Sequence, residues 1–188
     1  FINLPNVFKS DLYTYDKTKQ KNKLFTFINV ASLDSNKNHT RLINSFKKFN
    51  KQNPESQLII VGTGPMKKEL INLTKLNNYE NQILFAGYLT SQNIKKLFSE
   101  SHVFVLSSDY ETFGVSLIEA LACGLPSIST KCGGPECIID TNEIGILCDK
   151  NEASLLNSMM EIYDNYSQFN HQLISNYIFN KYSYSTVA

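Results

Sequence analysis

The chain carries four cysteines, with no Cys-x-x-Cys and no histidine at zinc-ligand spacing from any of them. A structural metal site and a disulfide framework are thereby disfavoured. Cys123, Cys132, Cys137 and Cys148 read instead as reduced, small hydrophobes of core or loop. No Asp-x-Asp pair occurs, which removes a common carboxylate clamp for a divalent ion, and nothing else in the residues requires a metal. No apolar run approaches the roughly 20 residues of a membrane span, and the first residues lack the basic and apolar regions of a signal peptide. Net charge is +1 with both signs interspersed, so neither a nucleic-acid footprint nor an acidic tail is visible. These absences together imply a cytoplasmic protein.

What is present suits an enzyme domain. With 42% hydrophobic residues in 188, one substantial core is affordable, and a chain this long buries about 70% of its unfolded surface. Residues 1–8 read as an extended, proline-bent connection, and the start at Phe1 suggests a piece of something longer. The stretch Lys17-Thr18-Lys19-Gln20-Lys21-Asn22-Lys23 reads as a solvated basic loop.

From residue 24 strands and helices alternate. Strands are expected over 24–30, 57–61, 83–86, 103–106, 127–130 and 145–148. A helix over 38–50 places Leu42, Ile43, Phe46 and Phe49 on one face. Pro65 suits the first turn of a helix carrying Leu70, Leu73 and Leu76, and Ser91 is read as the cap of a helix with Ile94, Leu97 and Phe98. Another helix starts near Gly114 and stops at Gly124, where Pro126 forbids continuation. Gly133-Gly134-Pro135 opens a helix or turn, and residues 152–163 set Leu155, Leu156, Met159 and Ile162 at helical spacing. The alternation implies an α/β fold, a Rossmann-like parallel sheet with helices on both faces.

Ligands bind such sheets outside the carboxyl ends of the strands, where loops 31–39, 62–65, 87–89, 107–116 and 131–135 fall. Glu111 and Glu119 bracket one of them, Glu111-Thr112-Phe113-Gly114-Val115-Ser116-Leu117-Ile118-Glu119. A turn at Gly114 leaves the amides of Gly114, Val115 and Ser116 at a helix N-terminus, which favours an anion by about 0.3–2 kcal/mol. A diphosphate fits there. Glu119, inside the helix, can accept both hydroxyls of a vicinal diol such as ribose, and Glu111 faces the end where a sugar ring would lie. The plainer alternative makes both glutamates solvated acids. Lys37 can meet phosphate as a mobile cation or be an ordinary loop lysine. Gly62-Thr63-Gly64 lacks the third glycine of a dinucleotide fingerprint and follows the second strand, so it reads as a turn lining the crevice. His39, His102 and His171 read as surface or half-buried residues rather than catalytic bases.

Val30-Ala31-Ser32-Leu33 with Lys37-Asn38-His39, Ile60-Val61-Gly62-Thr63-Gly64-Pro65, Phe85-Ala86-Gly87, Phe104-Val105-Leu106-Ser107-Ser108, and Glu111-Thr112-Phe113-Gly114 through Glu119-Ala120-Leu121-Ala122-Cys123-Gly124-Leu125-Pro126 occur in that order. This set closely resembles the C-terminal, donor-binding half of retaining glycosyltransferases of family four, GT-B enzymes built of two facing Rossmann-like domains. The tail from Tyr182 resembles the family's final helix start. The resemblance implies that residues 1–23 are interdomain linker and lead-in, that 24–188 bind a nucleotide-diphosphate sugar, and that the acceptor domain lies upstream of Phe1. It implies that Glu111 contacts the donor sugar, that Glu119 holds the ribose, and that Lys37 with the Gly114, Val115 and Ser116 amides stabilises the departing diphosphate. Gly87, Tyr88 and Leu89 would hold the base through their backbone, with Phe113, Ser32, Gly62 and Gly64 completing the donor site.

It further implies a glycan or lipid-linked acceptor, peripheral work at the inner membrane face, and no cofactor or metal beyond the substrate. The fragment alone is expected to be inactive. The abundance of Asn, Lys and Tyr points to an AT-rich bacterial genome. One departure stands out. The family has an arginine five residues before the lysine, where this chain has Ser32; another arginine or lysine, Lys131 among them, would have to substitute. Two other classes compete: a non-catalytic module that keeps the nucleotide pocket, and a GT-B UDP-sugar epimerase, whose histidine and acid set is not visible here.

Overall fold

The computed structural model describes residues 8–76 and 78–182. The extended connection expected before Phe8 and the tail after Tyr182 lie outside the described residues. Six strands, β1 (Phe25–Val30), β2 (Ser56–Val61), β3 (Ile83–Gly87), β4 (Val103–Leu106), β5 (Ser127–Thr130) and β6 (Gly145–Cys148), form one sheet in the order β3-β2-β1-β4-β5-β6. All five pairings are parallel. Between and after them run α1 (His39–Gln52), α2 (Lys67–Lys75), α3 (Ser91–Glu100), α4 (Val115–Ala122), α5 (Pro135–Ile138), α6 (Glu152–Asp164) and α7 (His171–Tyr182).

The period of two along each strand sends successive side chains to opposite faces. Phe27, Leu58, Ile60, Val103 and Val105 pack with Leu42, Phe46 and Phe49 of α1 and Leu155, Met159 and Ile162 of α6. Ile28, Ile59, Val61, Phe104 and Leu106 pack with Leu117 and Leu121 of α4, Phe98 of α3, and Ile174 and Ile178 of α7. The lead-in joins this second layer: Phe8 and Tyr13 are buried, Phe8 edge-on to Phe179 at 5.6 Å.

Several expectations need correction. Thr90, not Ser91, caps α3, because its hydroxyl accepts from the Asn93 amide. Pro65 stays outside α2, since Met66 donates its amide to the Leu33 carbonyl and the helix begins only at Lys67. Leu76 falls past the helix end and is 83% exposed instead of sharing the apolar face. The basic loop is not solvated throughout, as Lys21 turns inward and donates to the Ser101 carbonyl at 2.6 Å. Helix α7 had no strong sequence signal, although Ile174, Ile178 and Tyr182 form a buried stripe along it.

The switch in strand order falls between β1 and β4. These strands pair only at Phe27 with Val103 and Ile28 with Phe104, then part towards their carboxyl ends. Asn29 bridges the opening with its side chain, donating Nδ2 to the Val105 carbonyl at 2.8 Å. Its Oδ1 faces His39 Nε2 at 2.9 Å, and an amide oxygen can only accept, so Nε2 carries the proton. Burial pushes the His39 imidazole down to about 4, which keeps this buried ring neutral and makes it a brace beneath the crevice.

Candidate functional site

The loops after β1 and β4 meet across the split. Lys37 ends a short 3-10 turn, Ser35–Lys37, capped by the Asp34 carboxylate. The Ser107 hydroxyl donates to the Lys37 carbonyl at 2.8 Å, fixing the backbone from the far side. From this support the ammonium reaches Glu111 Oε1 at 2.6 Å, with both side chains largely withdrawn from solvent. Ser108 donates to the same oxygen at 3.0 Å. A lysine and a glutamate separated by 74 positions are therefore joined at the topological switch point, where ligands of this fold class bind.

Other bonds hold the two loops in register. Asn36 donates to the Tyr110 carbonyl, and its own carbonyl accepts the Asp109 amide. Arg41 extends one guanidinium nitrogen to the Ser107 carbonyl at 2.9 Å and another to Asp109 at 2.6 Å, while Asn38 donates to the second Asp109 oxygen. Sequence reasoning passed over this Arg41, Asp109 and Asn38 latch, and no local spacing announces it. Arg41 is the chain's one arginine, and its fork is committed to the latch.

Glu111 is also pinned through its backbone. Its amide donates to the Cys132 carbonyl and its carbonyl accepts from Gly134, an isolated parallel bridge between the loops after β4 and β5. Gly114, at φ 97°, then turns the chain in the left-handed region and starts α4 without a side-chain cap. The first amides of a helix have no partner within it, so Val115 and Ser116 are left as donors at the start of α4, four and five residues after Glu111.

Glu119 lies one turn further along α4, three residues from Ser116 and four from Val115, hence on the same face. Burial pushes its carboxyl up to about 7, while the Tyr13 hydroxyl beside it and Lys9 pull the other way. Tyr13 is pushed up to about 12 by burial and by the Glu119 charge. The lead-in thus supplies neighbours for Glu119 that the sequence did not reveal.

The remaining candidates extend this edge. Gly62 donates its amide to the Gly87 carbonyl at 2.8 Å, and Leu33 donates to the Thr63 carbonyl, so the loops after β1, β2 and β3 are contiguous. Gly64 backs directly onto Leu33. Tyr88 is 81% exposed and Leu89 half-buried. Phe113 packs edge-on against Tyr182. Ser32 turns to Asp34 at 2.5 Å, within its own loop. Lys131, the candidate stand-in for the absent arginine, pairs with Asp149 at 3.0 Å on the surface. A cavity of about 370 Å³ lined by Asn142, Glu161 and Phe169 contains none of these residues. The candidate residues lie along the carboxyl edge of the sheet, where a smaller cavity of about 200 Å³ is lined by Asp34, Ser35, Asn38 and His39 among others. Among the described residues there is no group of three or more His, Cys, Asp or Glu placed to hold a metal ion.

A family model, glycosyl transferases group 1, matches residues 14–178. The chain belongs to this family. Among similar proteins, a probable sucrose-phosphate synthase of Thermosipho melanesiensis is 30% identical over 100% of this chain and 45% of its own length. N-acetyl-alpha-D-glucosaminyl L-malate synthase of Bacillus anthracis is 34% identical over 53% of this chain and 26% of its own. The group 1 chain thus spans between about a quarter and just under half the length of these relatives.

Solved structures agree on the fold. Sucrose-phosphate synthase from Thermosynechococcus elongatus superposes with a TM-score of 0.86 at 20% identity, over 98% of this chain and 49% of that one. The C-terminal domain of a glycosyl transferase group 1 protein from Francisella tularensis gives 0.81 at 21% identity, over 93% and 98%. The Anabaena protein HepE, solved with UDP, gives 0.84 at 19% identity, over 97% and 53%. The group 1 domain is therefore a GT-B half with a Rossmann-like sheet.

Proposed function

We propose that this domain binds the donor of a retaining glycosyltransferase, which moves a sugar from a nucleotide diphosphate to a glycan or glycolipid acceptor without a metal ion. The acceptor site belongs to a second domain outside this sequence, and residues 1–23 connect the two. The observation that carries the reading is the Lys37 and Glu111 ion pair at 2.6 Å, seated at the β1 and β4 split beside the α4 N-terminus. UDP in the HepE structure and UDP-sugar in a companion structure of the same protein support a nucleotide sugar as the ligand class.

The chemistry follows from the charges. In the free domain Glu111 neutralises Lys37. A bound diphosphate offers the ammonium a stronger anion, and as the glycosidic bond breaks the growing negative charge meets Lys37 and the first α4 amides, donors already oriented. Glu111, released from the lysine, is free to accept hydroxyls of the donor sugar. Glu119 takes the ribose diol, its ionised form being the better acceptor.

Calorimetric titration of the chain with UDP, GDP and ADP tests this. Lys37→Ala and Glu119→Ala are each expected to weaken the preferred nucleotide about tenfold or more, as loss of a charge-assisted contact does. Glu111→Ala leaves Lys37 unpaired, so nucleotide affinity holds or rises while transfer by the intact enzyme collapses. Unchanged isotherms for both Lys37→Ala and Glu119→Ala would remove the pocket. Incubating the intact enzyme with nucleotide sugars and finding epimerised sugar, or no reaction, would favour the epimerase or the non-catalytic module.

A further inference from the structure

The lead-in before β1 packs against the helix that carries Glu119, and a line of polar groups runs through the contact. Residues 9–13 close one turn, in which the Leu12 and Tyr13 amides both donate to the Lys9 carbonyl at 3.0 Å. The turn is held on two sides: Phe8 meets Phe179 of α7, and the Tyr13 ring lies against Phe98 of α3 at 6.1 Å. Tyr13 is 1% exposed and shares a cluster with Leu117 and Leu121 of α4. A phenol so enclosed cannot turn its hydroxyl to water, so packing fixes its partners. Ser91, at the start of α3, donates to the phenol oxygen, and the phenol donates to the Glu119 carboxyl. Lys9 Nζ in turn donates to Ser91 Oγ at 3.4 Å. The bonds run in one direction, Lys9 to Ser91 to Tyr13 to Glu119, and each donor polarises the next.

The neighbouring charges keep the protons in that order. Burial and the Glu119 charge push the phenol up to about 12, so at neutral pH it is a donor. Burial pushes the Glu119 carboxyl up to about 7, against the pull of Tyr13 first and of Lys9 second. Cys123, four residues on along α4, also faces Glu119; burial pushes its thiol up to about 12, although Lys95 of α3 and Lys21 draw it down. A carboxylate offers about four lone-pair directions, so a bond from Tyr13 leaves room for both hydroxyls of a diol. A glutamate already tied at one point has less rotamer freedom to lose when a ligand arrives.

We propose that Tyr13 is a positioning residue of the donor site, its hydroxyl tying one side of Glu119 so that the carboxylate is aimed at the ribose diol. This rests on the reading of Glu119 as the ribose grip and extends that grip into the lead-in. Tyr13 touches no ligand and acts through the carboxylate. Lys9 and Ser91 set the direction of the phenol.

Two measurements on the full chain test it. The first follows the Glu119 side-chain carboxyl carbon by NMR through a pH titration without ligand, in the parent, Tyr13→Phe and Lys9→Met. The midpoint should move up in both variants, further in Tyr13→Phe, which keeps the ring and removes only the hydroxyl. The second is calorimetric affinity for whichever of UDP, GDP and ADP binds tightest, between about pH 6 and about pH 9. Tyr13→Phe should lose about fivefold or more at pH 7 and regain most of that loss at the alkaline end, where the carboxylate forms unaided. Should Tyr13→Phe not fold, Ser91→Ala carries the test, because it removes the donor to the phenol and should move the midpoint the same way by less. An unmoved midpoint overturns the proposal whatever the chain binds, and so does a loss of affinity equal at every pH, which marks a packing role. A loss in Glu119→Ala with none in Tyr13→Phe strikes the proposal alone. A midpoint that moves while both variants keep the parent affinity strikes the ribose role of Glu119, and the proposal with it.

Discussion

The two edges of this sheet are both polar, and they are polar in opposite ways. At the carboxyl edge cations meet anions: Lys37 with Glu111, Arg41 with Asp109, Lys131 with Asp149. At the amino edge Lys21 has only a carbonyl, and Ser101 Oγ and Tyr166 Oη have no partner. An edge with balanced charges is preorganised, and an incoming anion must exchange with a resident carboxylate. At the amino edge the spare hydroxyls are shut in by packing. The first arrangement suits turnover, where a substrate must also leave; the second suits a closed end of the sheet.

The carboxyl edge owes its rigidity to close backbone approach, and the largest expected effect comes from breaking that. A Cβ on Gly62 would lie 1.9 Å from the Ala31 carbonyl oxygen, at φ +141°. Neither the strand end nor the adjacent loop can yield without losing the bonds from Ala31 to Val61 and from Gly62 to Gly87. Gly62→Ala should cost about 3 kcal/mol or more in urea unfolding. Gly114→Ala is the contrast: nothing stands nearer than 3.6 Å to its Cβ, so only the left-handed backbone penalty of about 1–2 kcal/mol applies. Equal losses at the two sites would mean that the edge is looser than its contacts imply.

A smaller effect separates the edges by pH. The Glu119 carboxyl sits at about 7 in the folded chain, above its ordinary 4.5. Between those values the unfolded chain has lost this proton and the folded chain keeps it, so the contribution of this group to stability falls as pH rises through the window. Glu119 is partly exposed, and after solvent screening the fall amounts to about 1–2 kcal/mol. His39 and His102, each pushed down to about 4 by burial, contribute the opposite slope below their ordinary 6.5, so the Glu119 part is the difference between parent and Glu119→Gln unfolding free energies, which should fall from pH 4.5 to 8. Nucleotide affinity, if Glu119 grips the ribose, moves the other way in the parent chain and rises as the carboxylate forms. A difference that stays flat across that range would remove the buried Glu119 carboxyl as a source of pH dependence.

Much of the carboxyl edge was legible in sequence because its parts are local. Glu111, Gly114 and Glu119 sit in one nine-residue stretch whose glycine marks the turn and whose apolar strand marks the edge. Lys37 follows its strand in the same manner. The fold followed from alternation, and every strand of the sheet was expected within about two residues of where it lies. What sequence could not show was pairing between distant segments: Arg41 with Asp109, Tyr13 beside Glu119, Asn29 across the strand split. A cavity at the amino edge is the extreme case, since Lys21, Ser99, Tyr166 and His171 line it from separate segments. In sequence Lys21 was one more lysine in a basic run, and only packing turned it inward.

The finest distinction concerns Lys131, where the sequence left open a replacement for the family's arginine. Its ammonium sits 3.0 Å from Asp149, and the two side chains are 54% and 66% exposed. An ion pair so exposed contributes little, because solvent screens the attraction and two long side chains lose freedom in forming it. Lys131→Ala should therefore change stability by less than about 0.5 kcal/mol and leave nucleotide affinity within about twofold, a difference of about 0.4 kcal/mol. A loss of affinity as large as that of Lys37→Ala would show that Lys131 leaves Asp149 for the diphosphate when a donor arrives. The exchange of partners argued for Lys37 would then extend to a second cation, and the family's missing arginine would have its replacement.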